Sequence, residues 1–338
     1  MQAHVVPRTY LKGFADKARG IGVYNSEPGK PAYFERNVKR VATQLDFYTL
    51  YAADGSRDET LETALSKLES QLRATLKVVR GDKPLGTDDY EMLALFAAMQ
   101  EARSECHRHA MTLPLQQLRD ELTKEMREQG LSDEQIDAAT NLFFRKHLVA
   151  GDLKMDPSNV ALLMVPEGIA VRYKFFQIMS KCIVKSVAHD FFTSDDPLTW
   201  IDTFRQREIG FDYLSVSAEV TYPLTRRYCL VMSYFPLVAR RDASGEIVSI
   251  INSRTSGNAL REVYAQPKAA VADARRFVED IASIDKRRHP LVPFLIENPA
   301  RKELPDLGAL ADSLEIDRRY VMEINQPFIE YFGSNAAL

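Results

Sequence analysis

From Glu59 to about Val79, apolar residues recur at Leu61, Ala64, Leu65, Leu68, Leu72 and Leu76, the spacing of one helical face. A second helix is expected after Thr87, taken as its N-cap, through YEMLALFAAMQEAR. Leu118, Leu122 and Met126 mark a third, with Gly130 as its stop. Ser132 to Gln135 reads SDEQ, a capping-box pattern that opens a fourth. Asp156-Pro157 opens a fifth, with Asp as cap and Pro in the first turn. Before these helices, Ile21 to Tyr24 reads as a short strand closed by turn residues, and DFYTLYAADG as an aromatic, β-leaning stretch. After Ser180 the pattern changes. CIVKSV, DFFTSD, VTYPLT, YCLVMSY and GEIVSIINSRT are short, β-branched and aromatic, and are read as strands. Helices are expected again over Pro267 to Ile284 and over roughly Asp317 to Phe332.

Strands segregated from helices predict an α+β fold. A long helical segment, about 57–182, packs with a small, mostly antiparallel sheet built from the N-terminal strands and about 183–256, with C-terminal helices following. No repeat and no Gly/Ser linker divides the chain, so one domain over 1–338 is expected.

The 338 residues are 45% hydrophobic and 27% charged, which suits a globular protein rather than a disordered one. The net charge of −3 argues against bulk phosphate neutralisation. The three cysteines, Cys106, Cys182 and Cys229, form no CxxC pair, so neither a zinc ribbon nor a disulfide framework is expected. With no signal-peptide pattern and no membrane-length apolar run, a cytoplasmic location is expected.

Three stretches carry candidate chemistry. In HDFFTSDDPL, His189 to Leu198, hydroxyls and carboxylates crowd the end of a buried strand. Thr193, Ser194, Asp195 and Asp196 there suit either an open site aimed by the strand or a turn bonded to its own backbone. In HVVPRTYLKGFA, His4 is a candidate general base, Asp195 its orienter, and Arg8 an anion clamp. The alternative has Val5 and Val6 in an added strand while Tyr10 and Phe14 pin the segment to the core. In QEARSECHRH, Gln100 and Arg103 share a helix face, and Cys106 with His109 is half of a metal site. The spacing of Arg103 and His109 also resembles the Arg–His pair of HEPN ribonucleases, although Ser104 replaces their polar residue after the Arg. If the site is hydrolytic, Asp195 and Asp196 are expected to take Mg²⁺ or Mn²⁺.

The chain as a whole resembles the DUF4238 family. Its opening pattern His-x-Val-Pro-x-x-Tyr-Leu-x-x-Phe is matched by His4, Val6, Pro7, Tyr10, Leu11 and Phe14. Phe47-Tyr48 and Glu69 match its aromatic pair and acidic helix, and Gln100 with Arg103 its Gln-x-x-Arg. Phe191, Thr193, Ser194, Asp195 and Pro197 match its Phe-x-Thr-Ser-Asp-x-Pro. Pro223-Leu224 matches a "PL" strand, and Asn252 an Asn that follows a strand. The family usually has Pro soon after the Arg, where this chain has Ser104-Glu105, and Asn where it has Asp196. The resemblance implies a family-like core over 1–265 with a helical extension over 266–338. It implies no established activity. It gathers His4 and Asp195 as catalytic candidates, with Arg8, Tyr10, Gln100, Arg103, Thr193, Ser194 and Asn252 as substrate-binding ones. Two readings follow. One is a bacterial intracellular hydrolase, nuclease-like, in genome defence. The other is a binding or sensor protein working through a second protein component or nucleic acid.

Overall fold

The structure is a computed structural model and describes residues 2–27, 29–52, 54–147, 157–204, 207–208, 213–267, 288–297 and 305–335. The chain opens with β1 (Gln2–His4), the single helical turn α1 (Arg8–Leu11), β2 (Gly20–Asn25), β3 (Tyr33–Asn37), β4 (Thr43–Leu45), β5 (Leu50–Tyr51) and β6 (Arg57–Asp58). The helical segment follows as α2 (Thr60–Arg80), α3 (Thr87–Ala102), α4 (Glu105–Glu128), α5 (Asp133–His147), α6 (Pro157–Leu163) and α7 (Val165–Ile178). Next come β7 (Ser180–Ser186), β8 (Thr193–Ser194), β9 (Thr199–Asp202), β10 (Arg207–Glu208), β11 (Ala218–Thr225), β12 (Tyr228–Ser233) and β13 (Arg240–Ala243). The described chain ends with α8 (Gly245–Asn258), β14 (Glu262–Ala265), α9 (Val292–Leu295), α10 (Leu307–Leu314) and α11 (Arg318–Asn335).

The fold is α+β, and its strands divide among several sheets. The largest has the order β10-β9-β11-β12-β7-β13, antiparallel except for the parallel pair of β13 and β7. A four-stranded antiparallel sheet runs β3-β2-β14-β8, so β2 pairs with β14 more than 200 residues away and the N-terminal strands do not join the large sheet. β1 pairs only with β4.

Period two explains why β12 reads as unbroken apolar sequence. Leu230 and Met232 pack into the cluster formed with α2, α3 and α7, whereas Cys229 and Val231 pack into a second cluster with Ile247, Ile251, Leu291 and Leu295. Both faces of the sheet are covered, so neither needs polar residues.

Several local expectations hold. Ser132 and Gln135 close the capping box reciprocally, at 2.9 and 3.3 Å. Gly130 follows α4 at φ +83°, a left-handed position suited to glycine. The stretch GEIVSIINSRT is a correction, because it is helix α8 and not a strand. Ser244 caps it through a bond from the Ile247 N–H, and Ile247, Ile250, Ile251 and Arg254 fall at i, i+3, i+4 and i+7 on its buried side. β-branched content favoured a strand there, and capping with tertiary burial won. Asn252 therefore sits inside a helix and does not follow a strand. The helix expected over Pro267 to Ile284 lies outside the described residues beyond Pro267. No helix among the described residues is long and apolar enough to cross a membrane.

Candidate functional site

The residues of the three stretches fall into two polar regions. The first surrounds His4. Pro7 and the buried Tyr10, Leu11 and Phe14 anchor the segment, and β1 aligns His4 opposite Thr43. Tyr10 stacks on Tyr222, with centroids 5.2 Å apart, and its hydroxyl donates to the Pro223 carbonyl at 2.5 Å and meets Thr193 Oγ1 at 2.6 Å. The N-terminal run thus packs against the strand after Phe191-Phe192 without pairing to it. Tyr10 and Thr193 are core residues with no exposed surface.

Beside His4 lies a cavity of about 420 Å³, lined by residues of β1, α1, α2 and the end of α3. Its polar walls are His4, Arg8, Glu62, Ser66, Glu69 and Arg73, with Tyr48 and Arg103 behind them. His4 Nε2 is buried and has no hydrogen-bond partner. Burial and the nearby arginines hold the imidazole below its ordinary range, against a bond to the Val38 backbone. The neutral tautomer therefore donates from Nδ1 and leaves Nε2 as an open acceptor. Glu62 Oε2 is likewise buried without a partner, and burial beside Glu59 raises this carboxyl.

Arg103 lies in the same wall, but its donors are spent. Nε donates to the Tyr48 hydroxyl at 2.8 Å, Nη1 to Glu69 at 2.5 Å and Nη2 to the His4 carbonyl at 2.5 Å. Burial alone would lower its basicity, and Tyr48 and Glu69 overcome this and keep it charged. It ties β1 to α2 and α3 and has no fork left for an anion. Gln100, fully buried, reaches the Val5 carbonyl at 3.5 Å. Arg8 and Arg73 are exposed at the cavity rim, and neither has a carboxylate within ion-pair distance among the described residues.

The second region surrounds Asp195, and no bond joins it to His4. Asp195 Oδ1 accepts from the Leu260 N–H at 2.9 Å, and Oδ2 accepts from Arg261 at 2.8 Å and Glu262 at 3.1 Å. The carboxylate thus caps the start of β14. Asn252 clamps the same loop, accepting from the Phe192 N–H at 2.9 Å and donating to the Asp190 carbonyl at 3.0 Å. Asn258 donates to the carbonyls of Asp196 and Leu198, each at 2.9 Å. Ser194 Oγ is buried without a partner. Asp196 is only 7% exposed, and burial together with Asp195, Glu101 and Glu105 pushes its carboxyl well up.

Among the described residues no group of three His, Cys, Asp or Glu side chains is placed to hold a metal ion. A divalent ion at Asp195 would compete with three backbone donors and find no set of further ligands among the described residues, so these residues do not fit Mg²⁺ or Mn²⁺ as they stand. Cys106 and His109 gain no further ligand, and the His between them is engaged elsewhere. His107 Nδ1 lies 2.9 Å from Arg172 Nη2, and burial beside that guanidinium lowers the imidazole to about 4. The Arg103–His109 spacing spans the break between α3 and α4 at Ser104, so the two do not share a helix.

Sequence reasoning missed Glu62 and Arg73 as site residues. They lie on the polar flank of α2 beside its leucine stripe, where a charged position ordinarily signals solvent. Only the approach of β1 and α1 turns that face into a wall.

No curated protein and no solved structure matches the chain. One family model does match, over residues 2–269, which include β1, α1 and both polar regions. The chain belongs to the family described as Protein of unknown function (DUF4238).

Proposed function

We propose that the protein acts at the His4 cavity, binding a small anionic ligand through Arg8 and Arg73 and accepting a proton at His4 Nε2. The observation that carries this reading is the imidazole itself. His4 lines the polar cavity, and its Nε2, buried without a partner, is costly unless a ligand that displaces its neighbours reaches it. The volume of about 420 Å³ suits a small molecule. The reaction class most compatible with these groups is hydrolysis of a phosphate ester, with His4 as general base toward water and the two rim guanidiniums on the anion. Asp195 has no part in it, and Arg103 acts by positioning the His4 backbone.

A test is turnover of bis(p-nitrophenyl) phosphate and p-nitrophenyl phosphate by wild type and His4→Gln. A loss of about 100-fold or more is expected in the variant. Because His4 titrates below its ordinary value of 6.5, the rate is expected to stay flat from pH 8 down past 6.5 and fall only below that. Turnover that persists in His4→Gln would overturn the reading.

A second reading is favoured by the satisfied state of Asp195 and Asn252, which take no part in the cavity. On it the same cavity is the recognition pocket of a sensor, read out through a second protein component or nucleic acid. Ligand binding abolished by Arg8→Ala, with no turnover of any ester, would select it. A role in bacterial genome defence is compatible with either reading.

A further inference from the structure

The His4 cavity continues into a cluster of cations. Arg8 and Lys12 are four residues apart along α1 and its C-cap. Arg73 and Arg80 are seven apart on one stripe of α2, about 10 Å at helical rise. The Arg80 guanidinium donates to the Thr9 carbonyl at 3.1 Å, which ties the end of α2 to α1. Arg19 joins them from the turn before β2. The proximity is felt electrostatically, because Lys12 is lowered by burial and by Arg8, Arg19, Arg73 and Arg80 together. All five side chains are exposed, and none has a carboxylate within ion-pair distance among the described residues. Two of the acids on these elements are engaged elsewhere. Glu69 is bonded to Arg103, and Asp16 accepts from the Gly20 N–H at 2.8 Å. In a chain of net charge −3, five uncompensated cations in one place are a strong local departure.

A single phosphate engages one or two guanidiniums, and Arg8 with Arg73 would suffice for it. Lys12, Arg19 and Arg80 then remain, extending from the cavity mouth. Toward the N-terminal end of α2 the lining turns to Glu62 and Ser66, which suit hydroxyl groups rather than anions.

Building on the anion-pocket reading above, we infer that the ligand carries a chain of linked phosphates. One phosphate lies between Arg8 and Arg73, and the next ones run outward over Lys12 and Arg80. Two sources share this chemistry, a nucleoside polyphosphate and inorganic polyphosphate. They differ at the inner end, where only a nucleoside offers hydroxyls to Glu62 and Ser66. The confined cavity favours a small ligand over a nucleic-acid strand.

The experiment is calorimetric titration of the full chain with inorganic phosphate, inorganic triphosphate, ATP, GTP and a 15-nucleotide single strand. It is run on wild type, Lys12→Ala/Arg80→Ala and Lys12→Glu. Triphosphate-bearing ligands are expected to bind more tightly than phosphate. The double variant should weaken them about tenfold while changing phosphate affinity less than about twofold. Lys12→Glu, which leaves the Arg80–Thr9 bond intact, should also weaken them several-fold relative to wild type. Tighter binding of ATP or GTP than of triphosphate identifies a nucleoside ligand, and equal binding identifies the phosphate chain alone. Equal affinity for phosphate and triphosphate, unmoved by the variants, would overturn the inference and leave the anion pocket standing. No binding by any of them would overturn both. Preference for the oligonucleotide would overturn the inference in favour of a nucleic-acid surface.

Discussion

Around Asp195 the hydrogen bonds close. Three backbone N–H groups point at one carboxylate, and Asn252 and Asn258 hold the loop that presents it. Around His4 they stay open, with a ring nitrogen and a carboxyl oxygen buried without partners and two guanidiniums at the rim. Both regions carry carboxylates and serines. The difference teaches that a polar cluster is assigned by what its donors and acceptors already hold, and that a carboxylate committed to three N–H groups is architecture.

Arg103 is the sharpest way to break this contrast, since it lines the cavity yet is fully engaged. Arg103→Ala strands Glu69 and the His4 carbonyl, and should cost about 3 kcal/mol, the lower end for a broken buried pair because Glu69 is partly exposed. Near-native stability in urea denaturation would move Arg103 to the ligand side. Next in size, Asp195→Ala leaves three N–H groups unpaired and should cost roughly 2–3 kcal/mol. An unchanged thermal midpoint would show that this region is not structural.

Asp196→Asn should act in the opposite direction. The Asp196 carboxyl is raised in the folded protein, so between its unfolded value near 3.8 and its folded value the native state binds more protons than the unfolded one. Stability from this group therefore falls as pH rises through that window, and Asn removes the loss. The variant should melt a few degrees higher than wild type at pH 8 and no higher at pH 4. A lower midpoint at pH 8 would mean that the charged form has a partner. The smallest stability effect is expected for His4→Ala, about 1 kcal/mol, because the ring gives up its one bond to the Val38 backbone and makes none through Nε2. A drop of several degrees there would make the cavity a packing defect rather than a site.

Much of the fold was legible because it rests on periodicity. The leucines of α2, the reciprocal cap at Ser132 and the unbroken apolar run of β12 are local signals with local causes. His4 and Arg8 were legible as unusual residue types in an apolar run. The partners of Asp195 were not, since the Leu260, Arg261 and Glu262 N–H groups lie some 65 residues away and backbone donors leave no trace in sequence. Glu62 and Arg73 were hidden for a different reason. A helix's polar face looks the same whether water or another segment covers it. In α8 the β-branched residues pointed the wrong way, because burial under the sheet outweighed their propensity.

The wide spacing of the pairings has a consequence for how the chain comes together. β2 finds its partner β14 only after residue 265 has been made, and Tyr10 needs Thr193 and Pro223. Tyr10 and one edge of β2 therefore lack these late partners through most of synthesis, while the pairing of β2 with β3 and the local contacts of α2 to α7 can form early. Folding should show a fast helical phase and a slow one limited by capture of the N-terminal arm. During that interval the unpaired β2 edge is the segment most open to misassociation, which makes the arm a place where a chaperone would matter.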